Sequence, residues 1–375
     1  MKKIFIITGD YSGDMHAAKV VQALRTTFPN SVIEAVGGQH LASCGVKLFS
    51  NHSKMNAAGF SLKILKDHFE LGSRIMGYLK NEFKPDLVLL IDYGGFNLGI
   101  AKYIKLELKN TKLFYYIPPQ IWASRKWRIN TVKKYIDKVL YIFPFEEQLY
   151  KGNNISCEYV GHPLVEEIPQ STPKKLFCEK YKLDSKKPLI GVFPGSRSFE
   201  IKMLMPTYIK AIELIKQQLP DVQFVLCQSS NIKDKLLNEY NIPDYVSIQK
   251  NCNYELLSCA DVLLLASGTV ALEAALYKTP MTICYKAPWI LYLIYLFVRC
   301  IDKVSLPNII LQKEVVAELI QHKCKPQIIA NEIISLLKDK NKRSEMINKL
   351  TELENKLSEK QTSDEVAKII NNALL

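Results

Sequence analysis

Five short segments combine residue types and spacings that could do chemistry. Gly9-Asp10-Tyr11-Ser12-Gly13-Asp14 follows an apolar run and opens an amphipathic one. Acids and glycines there fall at the carboxyl end of a strand, where open α/β sheets bind ligands. The spacing is not GxGxxG, which argues against a dinucleotide; an acid-capped strand-to-helix turn is the alternative. Asp92 ends the run Leu87–Ile91 and precedes Tyr93-Gly94-Gly95-Phe96-Asn97. A carboxylate so placed can act as a base, or simply cap the next helix. Phe193-Pro194-Gly195-Ser196-Arg197 follows another apolar run, with Glu200 just beyond. Such a turn offers amide N–H groups and a helix's positive end to an anion, and Arg197 adds a guanidinium suited to phosphate. The alternative is an arginine in a surface turn. Ser267-Gly268-Thr269-Val270-Ala271-Leu272-Glu273 repeats the design one strand later. Its hydroxyls and amides suit a diphosphate, Glu273 could accept both hydroxyls of a ribose, and an N-cap role is compatible with either. His162, before Pro163, is either catalytic or a structural turn histidine.

The elements that must position these residues are legible as alternation. Strand candidates are Lys3–Thr8, Ser31–Val36, Leu87–Ile91, Lys112–Ile117 and Lys138–Ile142, then Leu189–Phe193, Gln223–Cys227, Asp261–Leu265 and Met281–Cys284. Ala17, Val20, Val21 and Leu24 form the stripe of a helix packed on a sheet. Alternating β and α units predict parallel sheets covered by helices. The pattern weakens over Ile168–Lys175 and then restarts, which predicts two Rossmann-like domains with a cleft between them. The expected domains are 1–165 and 166–345, with a charged helical tail over 346–375.

The chain has 375 residues, 48% of them apolar and 23% charged, enough for two buried cores and unlike a disordered or disulfide-stapled chain. Nine cysteines without a CxxC pair argue for a reducing cytosol and against structural zinc. The first residues lack the longer apolar region of a secretory signal. Net charge is +13, and residues 101–140 hold ten Lys and Arg against Glu107 and Asp137. That local excess suits an anionic surface, lipid or nucleic acid. Within it, Trp122-Ala123-Ser124-Arg125-Lys126-Trp127-Arg128 interleaves indoles with cations, as a membrane-facing segment would; buried tryptophans and solvated cations are the alternative. Two further stretches suit an apolar partner, although core packing would explain most of the first. Phe60–Leu79 carries Phe69, Leu71, Ile75 and Met76 beside cations, and Trp289–Val298 is apolar on every face. The apolar run Ala287–Val298 is 12 residues, short of the ~20 needed to span a bilayer.

In order along the chain, GDYSGDMH, LIDYGGFN, IPPQIWASRKWR, FPFE, VGHPL, FPGSRSFEI, ASGTVALEAAL, SLPN and AELIQ resemble the motifs of the lipid-A-disaccharide synthase family, glycosyltransferases of the GT-B fold. The resemblance implies a condensation of UDP-2,3-diacylglucosamine with 2,3-diacylglucosamine 1-phosphate, giving the β-1,6-linked lipid A disaccharide 1-phosphate and UDP with inversion. It implies no metal and no cofactor. Asp92, Asp10 and Arg197 would be catalytic, and Gly195, Ser196, Arg197, Ser267, Gly268, Thr269 and Glu273 would bind UDP. Ser12, Gly13, Asn97, His162, Asn308, Glu318 and Gln321 would lie at the acceptor or cleft, and Trp122, Arg125, Lys126, Trp127 and Arg128 would face the membrane. The expected partners are the two lipid sugars and the anionic inner-membrane surface of a Gram-negative-type bacterium, met from the cytoplasm. No nucleic acid is expected, and a homodimer is a candidate assembly. Departures from the family are Asp10 for Glu, Gly94-Gly95 for Pro-Asp, Ser124-Arg125 for Ala-Trp, and the lack of Pro before Glu318. Without the second acid, Asp92 is the only carboxylate of its motif. A UDP-N-acetylglucosamine epimerase would share the fold but would need neither the apolar nor the basic segment.

Overall fold

The computed structural model describes residues 1–51, 62–289, 292 and 302–375, with the backbone alone for 62–65. Two units result, Met1–Glu166 with Leu357–Leu375, and Glu167–Lys356. The first holds β1 (Lys3–Ile7), β2 (Val32–Gly37), β3 (Lys47–Asn51), β4 (Leu87–Ile91), β5 (Lys112–Tyr116), β6 (Lys138–Tyr141) and β7 (Cys157–Tyr159). The second holds β8 (Leu189–Phe193), β9 (Gln223–Gln228), β10 (Val246–Lys250), β11 (Val262–Ala266), β12 (Met281–Tyr285) and β13 (Ala317–Ile320).

The first sheet runs β3-β2-β1-β4-β5-β6-β7 and the second β10-β9-β8-β11-β12-β13. Neighbouring strands are parallel, with Ile4 beside Leu87 and Ile7 beside Leu90 in one sheet and Val262 beside Ile190 in the other. β4, β8 and β11 are buried throughout, because strands covered on both faces need continuous apolar runs. In each sheet the chain winds outward from its first strand, then returns to start the other half beside it. The pairs β1/β4 and β8/β11 are therefore topological switch points, where crossovers diverge and leave room at the strands' carboxyl ends.

Helix Tyr11–Thr27 buries Ala17, Val20, Val21 and Leu24, the stripe expected of it. The expected separate tail is divided instead. Helix Lys340–Leu357 belongs almost wholly to the second unit, whereas Thr362–Leu374 packs on Tyr11–Thr27 in the first, burying Val366, Ala367 and Ile370. The last stretch approaches the backbone at Gly161, whose φ is +86°; a Cβ there would lie 2.7 Å from the Lys360 carbonyl oxygen. Of the run Trp289–Val298, only Trp289 and Tyr292 lie within the described residues; Phe60 of the other apolar stretch lies outside them.

Candidate active site

In the first unit, the segment after β1 and the segment after β4 meet at the switch point. Asp10 is the N-cap of helix Tyr11–Thr27, its Oδ1 accepting from the Gly13 amide at 2.8 Å. Asp14 is buried and spent on structure, accepting from the Gly38 and His40 amides at 2.6 and 2.8 Å. Ser12 is exposed and its hydroxyl lies 3.1 Å from Nε2 of buried His16, a residue the sequence alone did not single out.

Asp92 and Tyr93 both take φ of +46°, a left-handed pair that side-chain-bearing residues adopt at a cost of ~1–2 kcal/mol each. The arrangement is held from three sides. The Asp92 amide donates to the Tyr116 carbonyl at 3.1 Å, the Tyr115 hydroxyl donates to the Asp92 carbonyl at 2.8 Å, and the Asn97 amide donates to that carbonyl at 2.9 Å and to Ile91's at 3.1 Å. Asn97 is fully buried, so it shapes the end of β4 instead of offering its amide to an acceptor. The Asp92 carboxylate accepts from the Tyr93 amide at 2.7 Å. Burial, and then the charge of Asp10, raises its proton affinity, while His16 opposes them. A raised pKa is what a carboxylate base needs to accept a proton productively.

In the second unit, Gly195-Ser196-Arg197 follows β8 and opens helix Ser198–Gln218. Gly195 has φ +116°, and a Cβ there would sit 2.5 Å from Glu200 Oε2. That carboxylate accepts from the Ser196 and Arg197 amides at 2.9 and 3.1 Å, so the turn carries its own anion. The Arg197 guanidinium is 72% exposed and only loosely paired with Glu200, at 3.4 Å. Arg197's side chain, more than the amides, is thus what this turn presents. After β11, Gly268 and Thr269 are exposed, and Glu273 is pushed up to about 7 by burial.

Several expected contact residues are occupied elsewhere. His162 is buried, lies tilted against Phe143 at 5.1 Å between ring centroids, and accepts from the Leu164 amide at 3.2 Å; burial drives its pKa down to about 3. The ring is thus kept neutral, with Nδ1 engaged in the turn. Asn308 accepts from the Val315 and Val316 amides at 2.7 and 3.0 Å and donates to the Val316 carbonyl and Glu318. Glu318 accepts also from the amides of Val304 and Ser305 and from the Ser305 hydroxyl. Gln321 pairs both ends of its amide with the Ala287 backbone. These three side chains brace the loops around β13.

The basic segment divides. The Trp122 indole turns inward, donating to Glu146 at 3.1 Å and packing edge-on to Phe143 and Phe145. Arg128 is half-buried against helix Gly94–Glu107, where a Cβ on Gly94 would lie 3.4 Å from its Nη1; burial, and then Arg125, lowers its proton affinity. Both are half-buried, and Trp122 is engaged by Glu146. Arg125, Lys126 and Trp127 are exposed, Trp127 by 69%. Among the described residues, no group of three or more His, Cys, Asp or Glu is arranged to hold a metal ion.

The solved structure of UDP-GlcNAc 2-epimerase from Neisseria meningitidis, bound to UDP-GlcNAc, superposes with a TM-score of 0.67 at 14% identity, covering 100% of this chain and 99% of that one. The Anabaena protein HepE in complex with UDP-glucose gives a TM-score of 0.57 at 12% identity, covering 100% of both. At such identities these likenesses speak for the fold, which is GT-B. In sequence, the chain is 37% identical over 377 residues to the lipid-A-disaccharide synthase of Coxiella burnetii (strain RSA 331 / Henzerling II), covering 100% of this chain and 99% of the relative. It is 34% identical over 363 residues to lipid-A-disaccharide synthase 1 of Legionella pneumophila (strain Paris), covering 96% and 94%. The profile of the lipid-A-disaccharide synthetase family matches residues 4–370, so the chain belongs to that family, glycosyltransferases that carry out the condensation step of lipid A biosynthesis.

Proposed function

We propose that Asp92 is the base of this condensation. The carboxylate takes the proton of the acceptor's 6-hydroxyl as that oxygen attacks the donor's anomeric carbon. The bond from that carbon to the diphosphate breaks, UDP leaves with the electron pair, and the configuration inverts. The observation that carries this reading is a half-buried carboxylate of raised proton affinity, set at the switch point of the first sheet by a left-handed backbone. Arg197 offsets the charge gathering on the departing diphosphate, and Ser267, Gly268 and Thr269 take up its oxygens. Glu273 accepts from the ribose hydroxyls. Asp10 sets the proton affinity of Asp92 through its charge.

The lipid substrates bring the enzyme to a bilayer. None of the helices among the described residues is long and apolar enough to cross one. In this reading the chain sits peripherally on the anionic cytoplasmic face of the inner membrane, held by Arg125, Lys126 and Trp127. The test of the whole reading is UDP release, which should require both a UDP-diacylglucosamine and a diacylglucosamine 1-phosphate. Equal turnover of water-soluble UDP-N-acetylglucosamine without lipid would favour an epimerase and overturn it.

A further inference from the structure

We infer that the groove between helices Leu62–Tyr78 and Gly94–Glu107 takes an acyl chain of the lipid acceptor; this deepens the assignment of Asp92 as acceptor base and rests on it. The groove encloses about 420 Å³, within the ~300–1,000 Å³ of small-molecule sites. Gly72 and Met76 line one wall, and Phe96, Gly99, Ile100 and Tyr103 the other, each set following the i, i+3, i+4 spacing of one helix face. Glycine keeps the space open. A Cβ on Gly99 would touch nothing within 4 Å, and one on Gly72 would reach only Phe96, at 3.9 Å.

Position and charge choose the occupant. At one end the lining residue His68 sets Nε2 3.1 Å from the hydroxyl of Tyr93, the residue after Asp92, and the second wall begins at Gly95 on the helix that follows Asp92. Its lining follows the second helix from Gly95 to Glu107, about 18 Å at 1.5 Å per residue. That is an elongated apolar slot, suited to a chain more than to a ring. Phe69 stands 72% exposed at the rim. The lining has no Lys or Arg, and Glu107 at its far end is paired with Lys80 at 3.0 Å, so the slot itself offers an anionic leaflet no cation.

The experiment is steady-state turnover of acceptors that differ only in acyl length, at saturating donor, with donors of varied length as the second arm. Gly99→Leu and Gly72→Leu fill the slot from opposite walls while exchanging glycine for a better helix former, so folding is not the expected casualty. In each, the acceptor KM should rise about tenfold for long chains and progressively less as chains shorten, with no such trend along the donor series. Gly77→Leu, on the same helix but outside the lining, should behave as the parent does. An unaltered acceptor-length dependence in both slot variants overturns the groove assignment. So does a loss of vesicle binding or of self-association without a change in that dependence, which would make the groove a membrane or subunit surface. Absence of lipid-dependent UDP release by the parent would instead overturn the underlying function.

Discussion

The Asn97 side-chain amide donates to the main-chain carbonyl of Asp92 at 2.9 Å, fastening the residue that carries the proposed base to the helix that follows it. The contact leaves the carboxylate itself untouched. Asp92→Asn should therefore lower kcat by about 10²–10⁴-fold, the usual worth of a positioned base, with little change in donor KM. Asn97→Ala should also lower kcat, by misplacing a carboxylate that is still present. Near-normal turnover of the Asp92 variant would move the base elsewhere.

The acid limb of kcat/KM should follow Asp92. Burial and the charge of Asp10 both raise its pKa, so activity should fall away at a higher pH than an ordinary aspartate would give. Asp10→Asn removes one of the two causes, and the limb should move to lower pH. A pH–rate profile of the two proteins shows this directly; a limb that stays in place assigns it to another group.

Arg197→Ala should weaken UDP binding by about ten- to a hundredfold, the worth of a charge-assisted hydrogen bond of ~1.5–3 kcal/mol. Titration calorimetry with UDP alone measures it without any lipid. Loss of stability should be small, since the side chain is exposed and only loosely paired with Glu200.

Glu146 makes folding stability depend on pH. Its ordinary value of 4.5 is pushed up to about 8 by burial, against the pull of the Phe143 amide and Trp122 indole. Below pH 4.5 both the folded and the unfolded chain carry the proton. From there to about pH 8 only the folded chain keeps it, so stability falls as pH rises, by roughly 1.4 kcal/mol per unit within that window. Urea unfolding across pH 5–8 should lose much of this slope in Glu146→Gln.

Gly161→Ala should cost about 1–3 kcal/mol, because it adds a close contact with the Lys360 carbonyl to a left-handed φ. Amide exchange in helix Thr362–Leu374 should quicken before the sheet is affected. Equal protection in the variant and the parent would show that the helix is held independently of this contact.

Binding to anionic vesicles should weaken as salt rises, since the charge contribution is screened over about 10 Å at 0.1 M. Arg125→Ser with Lys126→Ser should reduce cosedimentation and spare UDP affinity. Arg128 is excluded from the pair because it is half-buried beside Gly94. Unchanged cosedimentation would exclude this segment as the docking surface.

The sequence by itself determined the inner strands and the chemistry at their ends. β1, β4, β8 and β11 are covered on both faces, so they had to be written as unbroken apolar runs, and the glycine- and acid-bearing turns after them were legible. The strands that escaped reading, β3, β7, β10 and β13, are the four sheet edges. An edge strand is partly exposed, and polar residues such as Ser50, Glu158, Gln249 and Glu318 break its pattern. Strand order was equally beyond the sequence, because it depends on which pairings bury most surface among elements far apart in the chain. That order brings Asp10 to Asp92, and the loop after β8 beside the one after β11. Tertiary structure also decided which polar groups are spoken for. His162, Asn308, Glu318 and Gln321 look like contact residues in one dimension, yet folding closes each onto a backbone or side-chain partner, since a buried polar atom left unpaired costs about 1–3 kcal/mol. Trp122 turns its indole to Glu146 for the same reason and Arg128 is half-buried, while Arg125, Lys126 and Trp127 remain outside.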